Sequence, residues 1–427
     1  MSSRQLAVIG GGAAGFFGAI AAAEADPTAT VTIYEKGRQV LQKVRVSGGG
    51  RCNVTHACFD HKKLATHYPR GDRWLRSLLP QFDAAGTVQW FERRGVALKT
   101  EADGRMFPTT DSSETIIDCL LTTARKLGIQ IKTSCGVERL EALADSDGPD
   151  APAHRSGYVL HFLTGRDDGP THTQVDRVLI ATGGYPQAPS YGWIPSQTEP
   201  LQRPVPSLFT FNTPGNPLLS LAGVSVPMAR VQVVGTKQQQ SGPLLITHWG
   251  FSGPAVLKLS AWAARDLANC DYRFTLRINW VPDKNEDQLR EALGTFRQLH
   301  ARKLVTSQNP VGLPARLWDA FCAEAGVTEG LRWADLPGKA QNRLIERIGN
   351  SQFAVAGKST FKDEFVTCGG IALGALNPQT LESVAHPGLF FAGEVLDVDG
   401  ITGGFNFQNA WTTGYVAGKH LGGHWSS

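Results

Sequence analysis

The patterned part of the chain opens on an uninterrupted apolar run, LAVIG at 6–10, then GGAAG at 11–15, an apolar stretch to Ala23, and VTIYE at 31–35. A short, β-prone run without alternation is what a strand buried on both faces of a parallel sheet requires. The spacing therefore predicts strand, helix, strand. Helical periodicity returns over 70–128, in Trp74, Leu75, Leu78, Leu79 and Phe82, and again in Ile116, Ile117, Leu120, Leu121 and Ala124 behind a Ser/Asp-rich start suited to capping. Between these, 100–110 reads as a turn-rich connection. Runs at 129–132, 136–140, 158–163 and 175–181 predict further strands, with a Ser/Asp/Gly/Pro-rich loop at 145–156.

The pattern then changes. Prolines cluster at 186, 189, 195, 200, 204, 206, 214 and 217, and β-prone runs follow at 229–234 and 272–279. From 286 to 348 the chain becomes helical, with Leu289, Leu293, Phe296, Leu299 and Leu304 on one face. An apolar strand at 389–392 and a helix from Phe405-Asn406 through Ala410, Trp411 and Tyr415 return to the first pattern. A chain of 427 residues exceeds one core, so two or three domains are expected. The reading is an α/β Rossmann-like domain from 1–190 and 366–427, interrupted by a β-rich domain at 191–282 and 350–365 that carries a helical subdomain at 283–349.

The chemistry starts in the first β–α turn. Gly10, Gly12 and Gly15 stand in G-x-G-x-x-G register, and Glu35 ends the next strand twenty residues after Gly15. Gly10 permits the tight turn, Gly12 lets backbone approach a pyrophosphate, and Gly15 lets helix pack on strand. The helix start supplies N–H groups and positive dipole, and a carboxylate at 35 accepts from ribose hydroxyls. An acid there fits FAD or NAD better than NADP. The second unusual stretch is Ser47-Gly48-Gly49-Gly50-Arg51-Cys52-Asn53, with Lys43 and Arg45 beside it. Three adjacent glycines suit backbone that must approach a flat ligand or an anion.

These segments, with GRMFP at 104–108, ATGGYP at 181–186, THWGFSGPA at 247–255, VTCGGIAL at 366–373 and FAGEVLDVDGITGGFNFQNAWTTGYVAG at 391–418, resemble the BaiN/RdsA-type, HI0933-like flavoproteins, which are NAD(P)/FAD-dependent oxidoreductases. The resemblance implies a GR2-type FAD fold with a barrel-like insert, and reduction of a C=C bond in a steroid-like substrate or in uridine of ribosomal RNA. The expected cofactor set is Gly10, Gly12, Ala13, Ala14, Gly15, Glu35, Lys36, Lys43, residues Ser47, Gly48, Gly49, Gly50, Arg51, Cys52 and Asn53, then Val137, Ala181, Thr182, Gly183, Gly184, Gly393, Glu394, Gly403, Gly404, Phe405 and Asn406. Glu394 is placed to bind ribityl hydroxyls, Asp397, Asp399 and Gly400 to form a turn, and the helix after Gly404 to aim its positive end at the flavin pyrimidine edge. Flavin hydride transfer needs no covalent nucleophile, so Arg51, Cys52 and His248 are catalytic candidates by expected proximity alone.

Composition narrows the partners. Residues 36–105 hold 14 Lys plus Arg against 6 Asp plus Glu, which suits cofactor phosphates, RNA or simply a solvated face. Seven scattered cysteines without C-x-x-C argue against a disulfide reductase and a zinc site and fit a reducing compartment. The apolar 6–23 run mimics a signal peptide, but its five glycines and the strand behind it favour a buried β–α unit; no membrane association and a cytoplasmic location are expected. No second nucleotide fingerprint is present, which leaves NAD(P)H to bind transiently over the flavin as electron donor. No metal is expected. A monomer acting on a small molecule or an RNA base is the working expectation, and a non-catalytic FAD sensor is the reading from another class.

Overall fold

The computed structural model describes residues 3–143, 157–163, 171–194, 200–359 and 366–423. The 145–156 loop expected above lies outside them. Two units divide the chain, one from 1–206 and 362–427, the other from 207–361.

The first unit is built on a five-stranded sheet. The central strand β1 (Gln5–Ile9) pairs in parallel with β2 (Thr30–Tyr34) on one side and with Arg177–Ile180 on the other. Gln130–Lys132 and Leu389–Phe391 extend the two edges, also in parallel. Helix α1 (Ala13–Ala25) joins β1 to β2 and carries Phe16, Phe17 and Ile20 buried. A second helix, Phe405–Gly422, packs against α1 without intervening side chains. A Cβ at Gly414 would lie 2.6 Å from the Ala14 carbonyl oxygen, one at Gly418 2.2 Å from that of Gly18, and one at Gly422 2.3 Å from that of Ala22. Glycine every four residues keeps one face of this helix flat, so two segments almost 400 positions apart touch backbone to backbone.

The run at 175–181 is two strands. His172–Val175 belongs to a three-stranded antiparallel sheet with Val137–Ala142 and Tyr158–Phe162, and Arg177–Ile180 belongs to the parallel sheet. Asp176 is the hinge: its N–H donates to the Gln5 carbonyl at 2.8 Å, and its carboxylate accepts from the Gln5 N–H at 2.7 Å. The 100–110 connection contains a strand, Arg105–Pro108, paired with Leu98–Thr100 and Thr55–His56. Pro80 separates Leu79 from Phe82; helix Asp72–Leu78 gives way to Ala84–Glu92, capped by the Asp83 carboxylate.

The second unit is a seven-stranded antiparallel sheet with helices. Helices Glu286–Leu299, Ala315–Ala325 and Gly338–Asn350 are not a separate subdomain. Leu289, Trp318 and Ile345 share one core with Phe251, Leu276 and Ile278 of the sheet. The 201–206 segment also falls differently from the expected boundary: strand Leu201–Ser207 pairs with Val366–Ile371 and is grouped with the first unit up to Pro206.

Candidate functional site

The site is assembled at the carboxyl ends of the parallel strands, where α/β sheets bind ligands. Gly10 leaves β1 with φ +109°, and a Cβ there would stand 2.5 Å from the Ala181 carbonyl oxygen. A Cβ at Gly15 would stand 1.9 Å from the Gly10 carbonyl oxygen, so α1 reaches β1 only as glycine. Gly12 is different. Its φ of −92° suits any residue, and nothing lies within 4 Å of the position of its missing Cβ. No capping side chain meets the first-turn N–H groups of Ala13 and Ala14 at the positive end of the helix that it starts.

Glu35 fixes this loop. One carboxylate oxygen accepts from the Gly11 N–H at 2.8 Å and the other from the Gly37 N–H at 2.6 Å. Each oxygen retains a second acceptor site for a ribose hydroxyl. Lys36 follows, with its ammonium 5.3 Å from the centroid of the Tyr185 ring. Val137, half-buried, begins the antiparallel strand beside it.

Within the 47–53 stretch, which closes the helix Gln42–Gly50, the backbone turns left-handed. Gly48, Gly49 and Gly50 have φ of +57°, +68° and +84°, and Cys52 follows at +58°. No atom lies within 4 Å of a Cβ built at Gly49 or Gly50. The side chains flanking this open backbone point into protein. The Arg51 guanidinium donates to Glu101 at 2.7 Å and stands 4.0 Å from the centroid of Phe107. Cys52 is fully buried, and burial pushes its thiol up to about 12. A thiol so protonated supplies no thiolate at neutral pH, and none of the Cys52 side chain reaches solvent. The Asn53 amide donates to the Thr55 carbonyl at 3.0 Å and accepts from the Gly404 N–H at 2.9 Å, linking this loop to the last helix.

Ala181, Thr182, Gly183 and Gly184 leave the neighbouring strand. Gly183 has φ +75° and open space around it, whereas Gly184 packs on Thr367. The Gly393 N–H donates to Thr413 Oγ1 at 2.9 Å. Glu394 accepts from the Thr367 N–H and from Lys43 Nζ, both at 2.9 Å, so Lys43 and Glu394 meet across 351 residues. Gly403 and Gly404, at φ +130° and +93°, lead into a helix start that no side chain of its own N-cap covers. Phe405 is buried, and the Asn406 amide spans the Gly400 N–H and carbonyl at 2.8 and 2.9 Å.

Several supports of this helix start escaped sequence reasoning. His56 and His67 stack on Phe405 with centroids 4.7 and 4.3 Å away, and a His56 ring nitrogen lies 3.1 Å from the Gly403 carbonyl. The Tyr68 hydroxyl donates to the Phe405 carbonyl at 2.7 Å. Asp399, read as a turn residue, is fully buried and ion-paired with Arg70. A lone Arg and a lone Asp 329 positions apart carry no local signal. His248 lies on an exposed turn of the second unit, between strands Gln239–Ile246 and Gly250–Ser252.

Open glycines at 12, 49, 50 and 183, an uncapped helix start, and carboxylates at 35 and 394 fit a long, flat dinucleotide with two hydroxyl-bearing chains. With the parallel sheet, they define a Rossmann-like FAD-binding domain, the frame of an FAD-dependent oxidoreductase. The HI0933-like protein Rossmann domain family matches residues 4–420, and the chain belongs to that family. It is 28% identical to the 3-dehydro-bile acid delta(4,6)-reductase of Clostridium scindens over 427 residues, 97% of this chain and 98% of that one. It is likewise 28% identical to the ribosomal RNA dihydrouridine synthase of Escherichia coli over 430 residues, 97% of each. Among solved structures it is similar in fold to 3-ketosteroid delta1-dehydrogenase from Sterolibacterium denitrificans, with TM-score 0.50 and 12% identity over 98% of this chain and 100% of that one. Among the described residues no helix is long and apolar enough to cross a membrane.

Proposed function

We propose that this chain reduces a carbon–carbon double bond conjugated to a carbonyl in a small molecule, with NAD(P)H as electron donor. The observation that carries the flavin part is the uncapped start of α1 at open Gly12, with Glu35 at the end of the next strand. When bound, FAD supplies the hydride chemistry. Backbone N–H groups at 13–14 hold the pyrophosphate, Glu35 the adenosine ribose and Glu394 the ribityl chain. The start of the 405–422 helix would offer positive dipole to the negative charge of a reduced ring.

The small-molecule reading is favoured over the RNA reading by how the basic region is used. Seven of its 14 cations, Lys43, Arg45, Arg51, Arg70, Arg94, Lys99 and Arg105, are ion-paired within the protein. Charges already paired contribute little to the counterion release that drives nucleic-acid binding. The likeness to ribosomal RNA dihydrouridine synthases is the observation that keeps uridine as the second substrate class.

The test is anaerobic. The purified protein should show flavin bands that bleach with NADPH or NADH, and a conjugated enone, not ribosomal RNA, should restore them. Reoxidation by RNA alone would replace the substrate class. Absence of flavin, with none taken up on reconstitution, would contradict the reading as a whole.

A further inference from the structure

The cofactor assignment above gives no part to the two imidazoles packed behind the start of the 405–422 helix. His56 ends the strand Thr55–His56, and His67 follows the short helix His61–Ala65. Their centroids lie 6.0 Å apart, and both stack on the buried Phe405 ring, at interplanar angles of 29° and 12°. Packing on a phenylalanine asks for no nitrogen in either ring, yet the nitrogens are placed. Each Nδ1 meets a backbone carbonyl, that of Gly403 at 3.1 Å for His56 and that of Lys63 at 2.9 Å for His67. A carbonyl only accepts, so both Nδ1 atoms carry hydrogen, and a further proton goes to Nε2. At His56 that atom faces bare backbone: a Cβ at Gly104 would lie 2.5 Å from it.

The charges around the pair are committed elsewhere. Arg105 stands opposite His56 in the strand register and is ion-paired with Glu101 and Asp103. Arg70, after His67, is paired with Asp399, before Gly403. On the short helix His61 is paired with Asp83, and Asp60 caps the Lys63 N–H. Cys58 and Tyr68 are pushed up by burial and stay neutral. Imidazole is the side chain whose ordinary range spans neutrality. An imidazolium over a phenylalanine face is held by the ring quadrupole. Two such cations 6.0 Å apart would oppose each other, so the pair takes one proton, shared between its two rings.

We propose that His56 and His67 form a one-proton site coupled to the charge on the flavin. This rests on the FAD reading above. Hydride from NAD(P)H brings two electrons and one hydrogen to the ring and leaves it with one negative charge; a proton from water then settles on Nε2 of the pair. The backbone links the two places, since His56 Nδ1–H holds the Gly403 carbonyl and Gly403-Gly404 leads straight into the helix. The helix dipole is fixed, whereas this charge is switched by pH. By linkage the pair binds its proton more tightly when the flavin is reduced, and reduction becomes easier as pH falls through the range of the pair.

The experiment is nitrogen NMR of the full-length holoprotein labelled in histidine side chains, titrated oxidised and again after anaerobic reduction with dithionite. His56→Gln and His67→Gln assign the signals, since glutamine keeps a donor for the carbonyl and does not titrate; should one variant fail to fold, the other assigns the pair by difference. On reduction the midpoint of the pair should rise by about one pH unit, tenfold in proton affinity. His161 and His172, on strands Tyr158–Phe162 and His172–Val175, should keep theirs. A merely structural pair would alter stability and flavin content in the variants but would titrate alike in both redox states. Equal midpoints overturn the proposal and leave the flavin reading intact. So do a fall on reduction, a shift of equal size at His161 and His172, independent uptake of two protons, and no titration of the pair between about pH 5 and 8 in either state. A protein that carries no flavin and takes none up overturns the flavin reading itself.

Discussion

Two regions of the first unit use glycine for opposite reasons. Along the seam between α1 and the 405–422 helix, Gly414, Gly418 and Gly422 are filled positions, each with a backbone carbonyl 2.2–2.6 Å from where a Cβ would be. Around the rim, Gly12, Gly49, Gly50 and Gly183 are empty positions with no atom within 4 Å. At 49, 50 and 183 a positive φ gives glycine a conformational reason. At Gly12 neither packing nor a positive φ requires glycine, and the reason we propose is a ligand that passes close to the backbone. The seam makes the fold; the rim is where we propose that the cofactor binds. Substitutions should separate the two, the seam acting on stability and the rim on flavin content.

The largest effect belongs to the seam. Gly418→Leu drives a side chain into the Gly18 carbonyl and should cost more than the roughly 3 kcal/mol of ordinary overpacking, leaving little soluble folded protein. Recovery of a folded variant with wild-type melting temperature would break the comparison. Arg70→Ala comes next. It strands Asp399, whose side chain is fully buried, and should cost about 3–5 kcal/mol in chemical denaturation. Because that pair braces the turn before the 405–422 helix, flavin content should fall with stability.

Glu35→Ala sits between the two regions. It removes the acceptor for the Gly11 and Gly37 N–H groups as well as the proposed ribose contact, so FAD affinity should fall by at least about tenfold, or roughly 1.4 kcal/mol, with a modest loss of stability. Flavin content equal to wild type would remove the ribose assignment. The smallest effect is alkaline. Burial holds Cys52 up to about 12 against an ordinary 9, so the folded state keeps a proton that the unfolded state releases between those values. Stability from this source is complete below pH 9 and is lost as pH rises towards 12. Cys322 in the second unit, also pushed up to about 12 by burial, adds to the same slope. Melting temperature from pH 8 to 11 should therefore decline less steeply in Cys52→Ala than in wild type, and enzyme activity at pH 7 should remain. Loss of activity with flavin retained would give the thiol the chemical role that its burial denies it.

What the sequence made legible follows from how local each signal is. The β1–α1–β2 unit is readable because strand, glycines, helix and acid lie within 35 residues, and each residue type has one physical reason at its place. Glu394 was readable as an acid after a strand. Its partner Lys43 was assigned to the same cofactor, but the ion pair between them was not visible, since nothing local links positions 351 apart. The strand expected at 175–181 was one element by propensity and two in the fold, because Asp176 bonds to Gln5 and redirects the chain. The helices after 286 looked like a subdomain by periodicity, but a hydrophobic face does not say which core it joins, and theirs joins the sheet. The seam did leave a trace: glycines at 414, 418 and 422 repeat every four residues, the spacing of one helix face. His56, His67 and Tyr68 left none, since their roles depend on Phe405 arriving from the far end of the chain.

The central claim is that the rim is open for a cofactor, and Gly12→Ala tests it most directly. A φ of −92° accepts alanine without strain, and the added methyl meets no protein atom within 4 Å. The measurement is the flavin-to-protein ratio of the purified variant, alongside its melting temperature after the flavin has been removed from both variant and wild type. The account predicts flavin content reduced by at least about tenfold at an unchanged apoprotein melting temperature, since a methyl there obstructs only the pyrophosphate. Full flavin occupancy in the folded variant would contradict it.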